Sequence, residues 1–325
     1  MTGGGKPEIL KGLEAVRDDH QGGVITIGNF DGIHIGHQKI LGEVLEEARR
    51  LRTRAMAITF EPHPVKVLMP ERGMRILTPS EEKARLMGHF GMDTVLFINF
   101  SREFANLPAD EFIRDVLVGR LKARAVIVGH NYAFGRGKKG TTELLRRRGR
   151  KHGFSVKVVR NARLHGDVVS SSRIRSLLGR GRVCEASMFL GRPYMITGTV
   201  IKGAGRGGRL LGTPTANITT PNELVPREGV YAVKVMFDHG EYDGVANIGT
   251  NPTFQDAGSA SGISYEAHIF DFSGDLGGKT LRVFFIDRIR DERTFPDADA
   301  LHEQIREDIT RAREMIRKKG HIRLI

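Results

Sequence analysis

Apolar and polar positions along this chain follow two successive regimes. In the first, β-branched and other apolar runs at 24–27, 55–60, 94–100, 125–129 and 155–159 are separated by stretches whose apolar residues keep helical spacing. Within 38–52, Ile40, Leu41, Val44, Leu45, Ala48 and Leu51 share one face; within 108–121, Phe112, Val116, Leu117 and Leu121 do the same. Another helix start is written in Thr78-Pro79-Ser80-Glu81, with a capping residue, a proline at the first helical position and a glutamate three residues on. Strand and helix in this repeated order predict a doubly wound parallel sheet covered on both faces. After a short helical segment at 183–190 and the turn Gly191-Arg192-Pro193, the period shortens to that of a strand. Strands are expected at 195–201, 229–237, 242–248, 264–272 and 280–289, with turns between them. They predict a small antiparallel β-barrel closed by a final helix, 297–319, whose Leu301, Ile305, Ile309, Ala312 and Ile316 share a face and which stops at Gly320. The expected fold class is therefore α/β, a Rossmann-like parallel sheet followed by a barrel with a C-terminal helix. The domain boundary is placed near 188, giving domains 1–187 and 188–325.

A length of 325 residues, 39% of them hydrophobic, suffices for two cores. No apolar run approaches the ~20 residues that span a bilayer, and residues 1–16 lack the apolar stretch of a secretory signal, so a cytoplasmic protein without a membrane partner is expected. Cys184, the single cysteine, excludes an intramolecular disulfide and a cysteine-rich zinc site. A formal charge of +13 calls for a polyanionic partner. The densest basic cluster, Arg146, Arg147, Arg148, Arg150, Lys151 and His152, ends a predicted helix and has no interleaved aromatic residues. That is the pattern of a solvated helix end, and a small polyanion such as a nucleotide triphosphate is expected in place of nucleic acid.

Candidate chemistry concentrates first in Gly28-Asn29-Phe30-Asp31-Gly32-Ile33-His34-Ile35-Gly36-His37, between a predicted strand and a predicted helix. Its glycines let the backbone approach a ligand, and the helix start offers unpaired N–H groups and a positive dipole end to phosphate. His34 and His37, three apart, can lean toward one anion. On the residues alone, a solvated turn and a two-histidine metal site remain open. Ser170-Ser171-Ser172-Arg173-Ile174-Arg175 places hydroxyls and two guanidinium groups at another helix mouth, suited to β- and γ-phosphates, although the serines can also be caps alone. In 203–217, five glycines form a loop able to lie against phosphates. Thr215 and Asn217 follow on one strand face as neutral oxygen ligands fit for nucleotide-bound Mg2+; a ligand-free glycine hairpin is the alternative. In 265–272, Glu266, His268, Phe270 and Phe272 alternate onto one face. Were that face inward, a glutamate there would need a task or a partner, so Glu266 is either a general base or one half of an ion pair with an arginine.

These motifs carry a family resemblance. Residues 28–37 resemble the His-x-Gly-His signature of the nucleotidylyltransferase superfamily, in the Gly-x-Phe-Asp-Gly-x-His form of bacterial FAD synthetases. Residues 170–175 resemble its second signature, Ser-Ser-Thr-x-Ile-Arg, with Ser172 for threonine. Pro214-Thr215-Ala216-Asn217, the stretch Asn247-Ile248-Gly249-Thr250-Asn251-Pro252-Thr253-Phe254 and Arg290-Asp291-Glu292-Arg293-Thr294-Phe295 resemble riboflavin kinase. Together they cover roughly 22–318. Three positions depart from the family pattern: Asn131 stands for aspartate, Gly277 for tyrosine, and the loop at Gly207-Gly208 is one residue longer.

The resemblance implies a bifunctional riboflavin kinase and FMN adenylyltransferase acting on riboflavin, FMN and ATP with Mg2+. It implies Glu266 as the kinase's base, Thr215 and Asn217 as metal ligands, and Gly203, Gly205 and Gly207 around ATP phosphates. For adenylyl transfer it implies His34 and His37, supported by Gly28, Asn29, Phe30, Asp31, Gly36, Ser171, Arg173 and Arg175, with Asn131 and Arg290 on the flavin. Two other readings fit the residues: an adenylyltransferase of different acceptor joined to a barrel that only binds, and a non-catalytic nucleic-acid-binding protein on the same folds. Oligomeric state is not legible.

Overall fold

Val24–Ile27 is buried at every residue, as a strand covered on both faces must be. In a computed structural model of the chain, which describes residues 5–201, 215–250, 263–320 and 322–325, this segment lies inside a six-stranded sheet. The strands are β1 (Glu8–Lys11), β2 (Val24–Ile27), β3 (Ala55–Glu61), β4 (Thr94–Asn99), β5 (Ala125–Gly129) and β6 (Ser155–Val159), in the order β1-β4-β3-β2-β5-β6 and all parallel. A short hairpin, β7 (Arg163–Leu164) with β8 (Asp167–Val168), follows. The helices of this region are α1 (Ile35–Leu51), α2 (Pro64–Leu68), α3 (Ser80–His89), α4 (Arg102–Ala105), α5 (Ala109–Glu111) and α6 (Thr142–His152).

The sheet's core joins Ile25, Ile27, Met56, Ile58, Leu96, Ile98, Val126 and Val128 to Phe112, Ile113, Val116, Leu117, Leu121 and Leu145. Leu41, Val44 and Ala48 of α1 are buried against β2, β3 and β5 but lie outside that cluster, so helices cover both faces. Two details differ from expectation. The stretch after α5, Phe112–Arg120, is wound as a π-helix, and its buried Phe112, Ile113, Val116 and Leu117 form adjacent pairs that a wider turn brings to one side. At the start of α3, Pro79 is the N-cap with no side-chain bond, so Thr78 does not cap it; the amides of Leu77 and Thr78 instead donate to the carboxylate of Asp31 (2.9 and 3.2 Å).

The chain divides into two compact units, Met1–Ser171 and Ser172–Ile325. After α7 (Ser171–Gly179) and α8 (Val183–Leu190), the second unit is a closed antiparallel barrel. Its strands are β9 (Tyr194–Ile201), β10 (Thr215–Thr219), β11 (Gly229–Phe237), β12 (Gly240–Thr250), β13 (Ile263–Ile269) and β14 (Thr280–Arg290), in the order β10-β13-β12-β11-β14-β9 and closed by β9 pairing with β10. The strands begin near 194, after the two helices, where the change of period falls. Ala216, Ile218, Ala246, Ile248, Ala267 and Ile269 fill the inner face. The outer face is covered in part by α9 (Ala298–Lys319), whose Ala312 and Ile316 pack on Ala232, Phe270 and Ile286. Asp297 caps α9 by accepting from the Ala300 amide at 2.8 Å.

Candidate functional sites

In the first unit β3 and β4 lie to one side of β2 while β5 and β6 lie to the other, so the strand order reverses at β2 and β5. A crevice forms at the carboxyl ends of such a pair, and here it is a cleft of about 190 Å³. Gly28, Phe30, His34, Gly36 and His37 line it from the β2 side, and Asn131 and Tyr132 from the β5 side. His34 is the N-cap of α1, and its Nδ1 accepts from the His37 amide at 3.2 Å, which leaves Nε2 to carry the proton of the neutral ring. The two imidazoles stack with centroids 3.6 Å apart and planes 14° from parallel, and Phe30 sets its edge against His37 at 5.3 Å. A Cβ at Gly28 would come to 3.2 Å from the Phe30 ring, and one at Gly36 to 3.2 Å from the His34 ring, so a side chain at either position would press a ring out of its seat.

Other predicted residues shape the turn that carries this site. Phe30 and Asp31 are each 2% exposed. The Asp31 carboxylate, expected on the nucleotide, accepts from the two amides before α3 and so braces the turn. The Ser171 hydroxyl donates to the Asp31 carbonyl at 2.8 Å, so it braces the same turn. Asn29 is exposed, and its carbonyl accepts from the Thr59 hydroxyl at 3.1 Å. Arg173 and Arg175 follow on α7 within the second unit. Tyr132, to which the sequence assigns no role, lines the cleft stacked on Phe134 at 5.3 Å, and burial pushes its phenol pKa up. The available signal was an aromatic residue in the turn after a predicted strand.

In the second unit the strand register assembles a second constellation. Glu266 of β13 pairs with Asn217 of β10 on one side and Asn247 of β12 on the other, so the three side chains stand in a row across the sheet. Thr215 and His268 form the next pair on that face. It is the outer face, opposite Ala267 and Ile269, so the inward placement considered for Glu266 is corrected. Burial pushes the Glu266 pKa up, and the charge of Glu292 adds to that. Glu292 accepts from Asn247 Nδ2 at 3.0 Å. The buried Oδ1 atoms of Asn217 and Asn247 have no hydrogen-bond partner among the described residues. Such an oxygen needs one, and a hard cation supplies it, so the donor set fits Mg2+. Asn247 and Glu292 both belong to the riboflavin-kinase motifs; the register sets Asn247 beside Glu266, and the bond from Asn247 brings Glu292 there.

Arg290, expected on the flavin, is engaged elsewhere. Its Nε and Nη2 donate to both oxygens of Asp308 on α9 at 2.8 to 3.1 Å, and its guanidinium lies over the Phe295 ring at 5.6 Å. Gly203, Gly205, Gly207, Gly208 and Asn251 to Phe254 lie outside the described residues.

Comparison with known proteins covers both units. Residues 16–173 match the family model described as FAD synthetase, and residues 190–316 the one described as riboflavin kinase. The bifunctional riboflavin kinase/FMN adenylyltransferase of Pseudomonas fluorescens is 37% identical over 97% of this chain and 99% of its own length. Its counterpart from Escherichia coli K12 is 36% identical over 94% and 97%. A crystal structure described as a macrolide-efflux protein from Streptococcus pneumoniae aligns with a TM-score of 0.84 at 30% identity, covering 95% of this chain and 99% of that one. Among the described residues of this chain, no helix is long and apolar enough to cross a membrane.

Proposed function

Because this chain belongs to the family of bifunctional riboflavin kinase/FMN adenylyltransferases, and so phosphorylates riboflavin to FMN and adenylylates FMN to FAD, we propose how its residues divide the two transfers. The boundary near 188 separates an adenylyltransferase domain from a kinase domain.

The observation that carries the kinase assignment is the row Asn217, Glu266, Asn247 beside Glu292. Riboflavin's ribityl hydroxyl must lose its proton as its oxygen takes the γ-phosphoryl group of ATP, and ADP leaves. A general base works best when its pKa lies near the operating pH, and burial with a neighbouring carboxylate moves Glu266 in that direction. Glu266 takes the proton. Asn217, through its buried unpartnered Oδ1, and Thr215 beside it would hold Mg2+, which neutralises charge on the ATP phosphates. Gly203, Gly205 and Gly207 take the phosphates through backbone N–H groups.

In the first unit the FMN phosphate attacks the α-phosphorus of ATP and pyrophosphate leaves. The nucleophile is already an anion, so the site needs orientation and charge stabilisation more than a base. The start of α1 supplies amides and a dipole, and His34 and His37 supply ring N–H donors at the same place. Gly28 and Gly36 keep the backbone close, and Ser171 steadies the turn. Asn131 and Tyr132, across the cleft, take the flavin end of FMN. Arg290 serves the kinase indirectly by fixing the end of β14 that leads into Glu292.

Glu266→Gln tests the division of labour. The variant is expected to lose FMN formation from riboflavin by roughly 10²–10⁴-fold while still converting added FMN to FAD. Retained riboflavin phosphorylation would remove Glu266 from the mechanism.

A further inference from the structure

Lys83 lies on α3 within the first unit, and it is 4% exposed. An ammonium this deep is costly unless it is paired and hydrogen-bonded. Its Nζ has one hydrogen-bond acceptor among the described residues, the Thr59 hydroxyl, at 3.5 Å, and no carboxylate within ion-pair distance. It stands in the electrostatic field of Asp31 and Glu61, and burial lowers its pKa. A methionine of about the same shape would fill the space at no electrostatic cost, so packing alone does not account for a lysine here.

Its neighbours connect it to the reaction. The Thr59 hydroxyl accepts from the Lys83 ammonium and donates to the Asn29 carbonyl at 3.1 Å. Asp31, two residues along, holds the amides of Leu77 and Thr78, while its carbonyl accepts the Ser171 hydroxyl. Asn29 and Asp31 both belong to the turn that ends in the stacked histidines. The turn is therefore fastened through the Thr59 and Ser171 hydroxyls and the Asp31 carboxylate, and Lys83 bonds to the first of these and lies in the field of the last.

We propose that Lys83 is a positioning residue for adenylyl transfer: its buried ammonium, bonded to Thr59 and opposite Asp31, holds residues 28–37 in the shape that brings His34 and His37 onto the triphosphate. It touches neither substrate. The inference rests on the adenylyltransferase assignment of the first unit. FAD formation from FMN by the parent protein tests that assignment; the variants test the inference.

The full-length protein with Lys83→Met, Lys83→Arg or Thr59→Val is assayed for FAD from FMN and ATP, with riboflavin phosphorylation in the same preparation as reference. Lys83→Met is expected to melt no lower than the parent and to keep its kinase rate. Its adenylyl-transfer kcat should fall by roughly ten- to a hundredfold, with KM for ATP changed less than about threefold, since the loss is of alignment. Lys83→Arg, which keeps the charge, should recover most of that loss. A Lys83→Met protein that folds and transfers adenylyl groups at the parent rate overturns the proposal. If Lys83→Met does not fold, Thr59→Val decides. A kcat reduced about threefold or more at unchanged KM supports the relay through the hydroxyl, and an unchanged kcat overturns it.

Discussion

The base role proposed for Glu266 rests on its surroundings. Burial is the larger cause of its raised pKa and the charge of Glu292 the smaller. A base must be ionised to accept a proton, so the kinase rate is expected to fall as pH drops through the Glu266 pKa, on an acid limb shifted upward from that of an ordinary glutamate. Glu292→Gln removes the like charge but keeps an acceptor for Asn247. It is expected to lower the Glu266 pKa and carry the acid limb to lower pH, measured as kcat for FMN formation across a pH series. An acid limb that stays in place would mean that Glu292 does not act on Glu266. At this scale the sequence showed which residue types to expect and not where they point. Glu266 was picked from strand alternation, but the barrel interior belongs to Ala267 and Ile269. Asp31 and Arg290, both expected on ligands, hold the amides of Leu77 and Thr78 and the carboxylate of Asp308. A motif cannot say whether a polar side chain turns toward a ligand or toward its own backbone.

Two elements carry the sites, and each gives a test. Gly36 lies in the first turn of α1, where glycine is unfavourable relative to alanine by about 1 kcal/mol. Helix propensity alone therefore predicts that Gly36→Ala stabilises the fold. The added Cβ, however, would press the His34 ring at 3.2 Å. Gly36→Ala is expected to melt at or above the parent temperature while adenylyl transfer falls several-fold; unchanged FAD formation would show that the exact seat of His34 is immaterial. In the second unit, Arg290 and Asp308 tie β14 to α9, their side chains 16% and 4% exposed. Asp308→Ala leaves a buried guanidinium unpaired and should cost the second unit about 3–5 kcal/mol in urea unfolding. A loss under about 1 kcal/mol, the range of exposed pairs, would contradict that. The strands at 125–129, 155–159 and 229–237 were legible because apolar runs bounded by turns leave little choice. Glu8–Lys11 was not, since an edge strand with one buried residue has no periodicity to read. The π-winding of Phe112–Arg120 was hidden because its apolar pairs also satisfy an α-helical face.

The whole molecule joins two chemistries that share ATP and pass one product. A formal charge of +13 suits two sites that handle triphosphates and a flavin phosphate. The charge is distributed over many exposed side chains, several of them paired on the surface, such as Arg148 with Asp110 and Arg114 with Asp115. The order of the two regimes, helices between parallel strands and then a barrel, could be read directly from the period of the apolar positions. The pairing of β10, β13 and β12 that assembles the kinase row could not, because register depends on contacts between residues far apart in sequence.

The central claim is that FMN made by the second unit is the substrate of the first, and that each site is needed for one transfer only. The most direct test gives riboflavin, ATP and Mg2+ to Glu266→Gln, to His37→Ala and to an equal mixture of the two, and resolves the flavins by chromatography over time. Glu266→Gln should leave riboflavin unchanged, His37→Ala should accumulate FMN, and the mixture should make FAD. FAD made from riboflavin by either variant alone at the parent rate, or a mixture that stops at FMN, would contradict the claim.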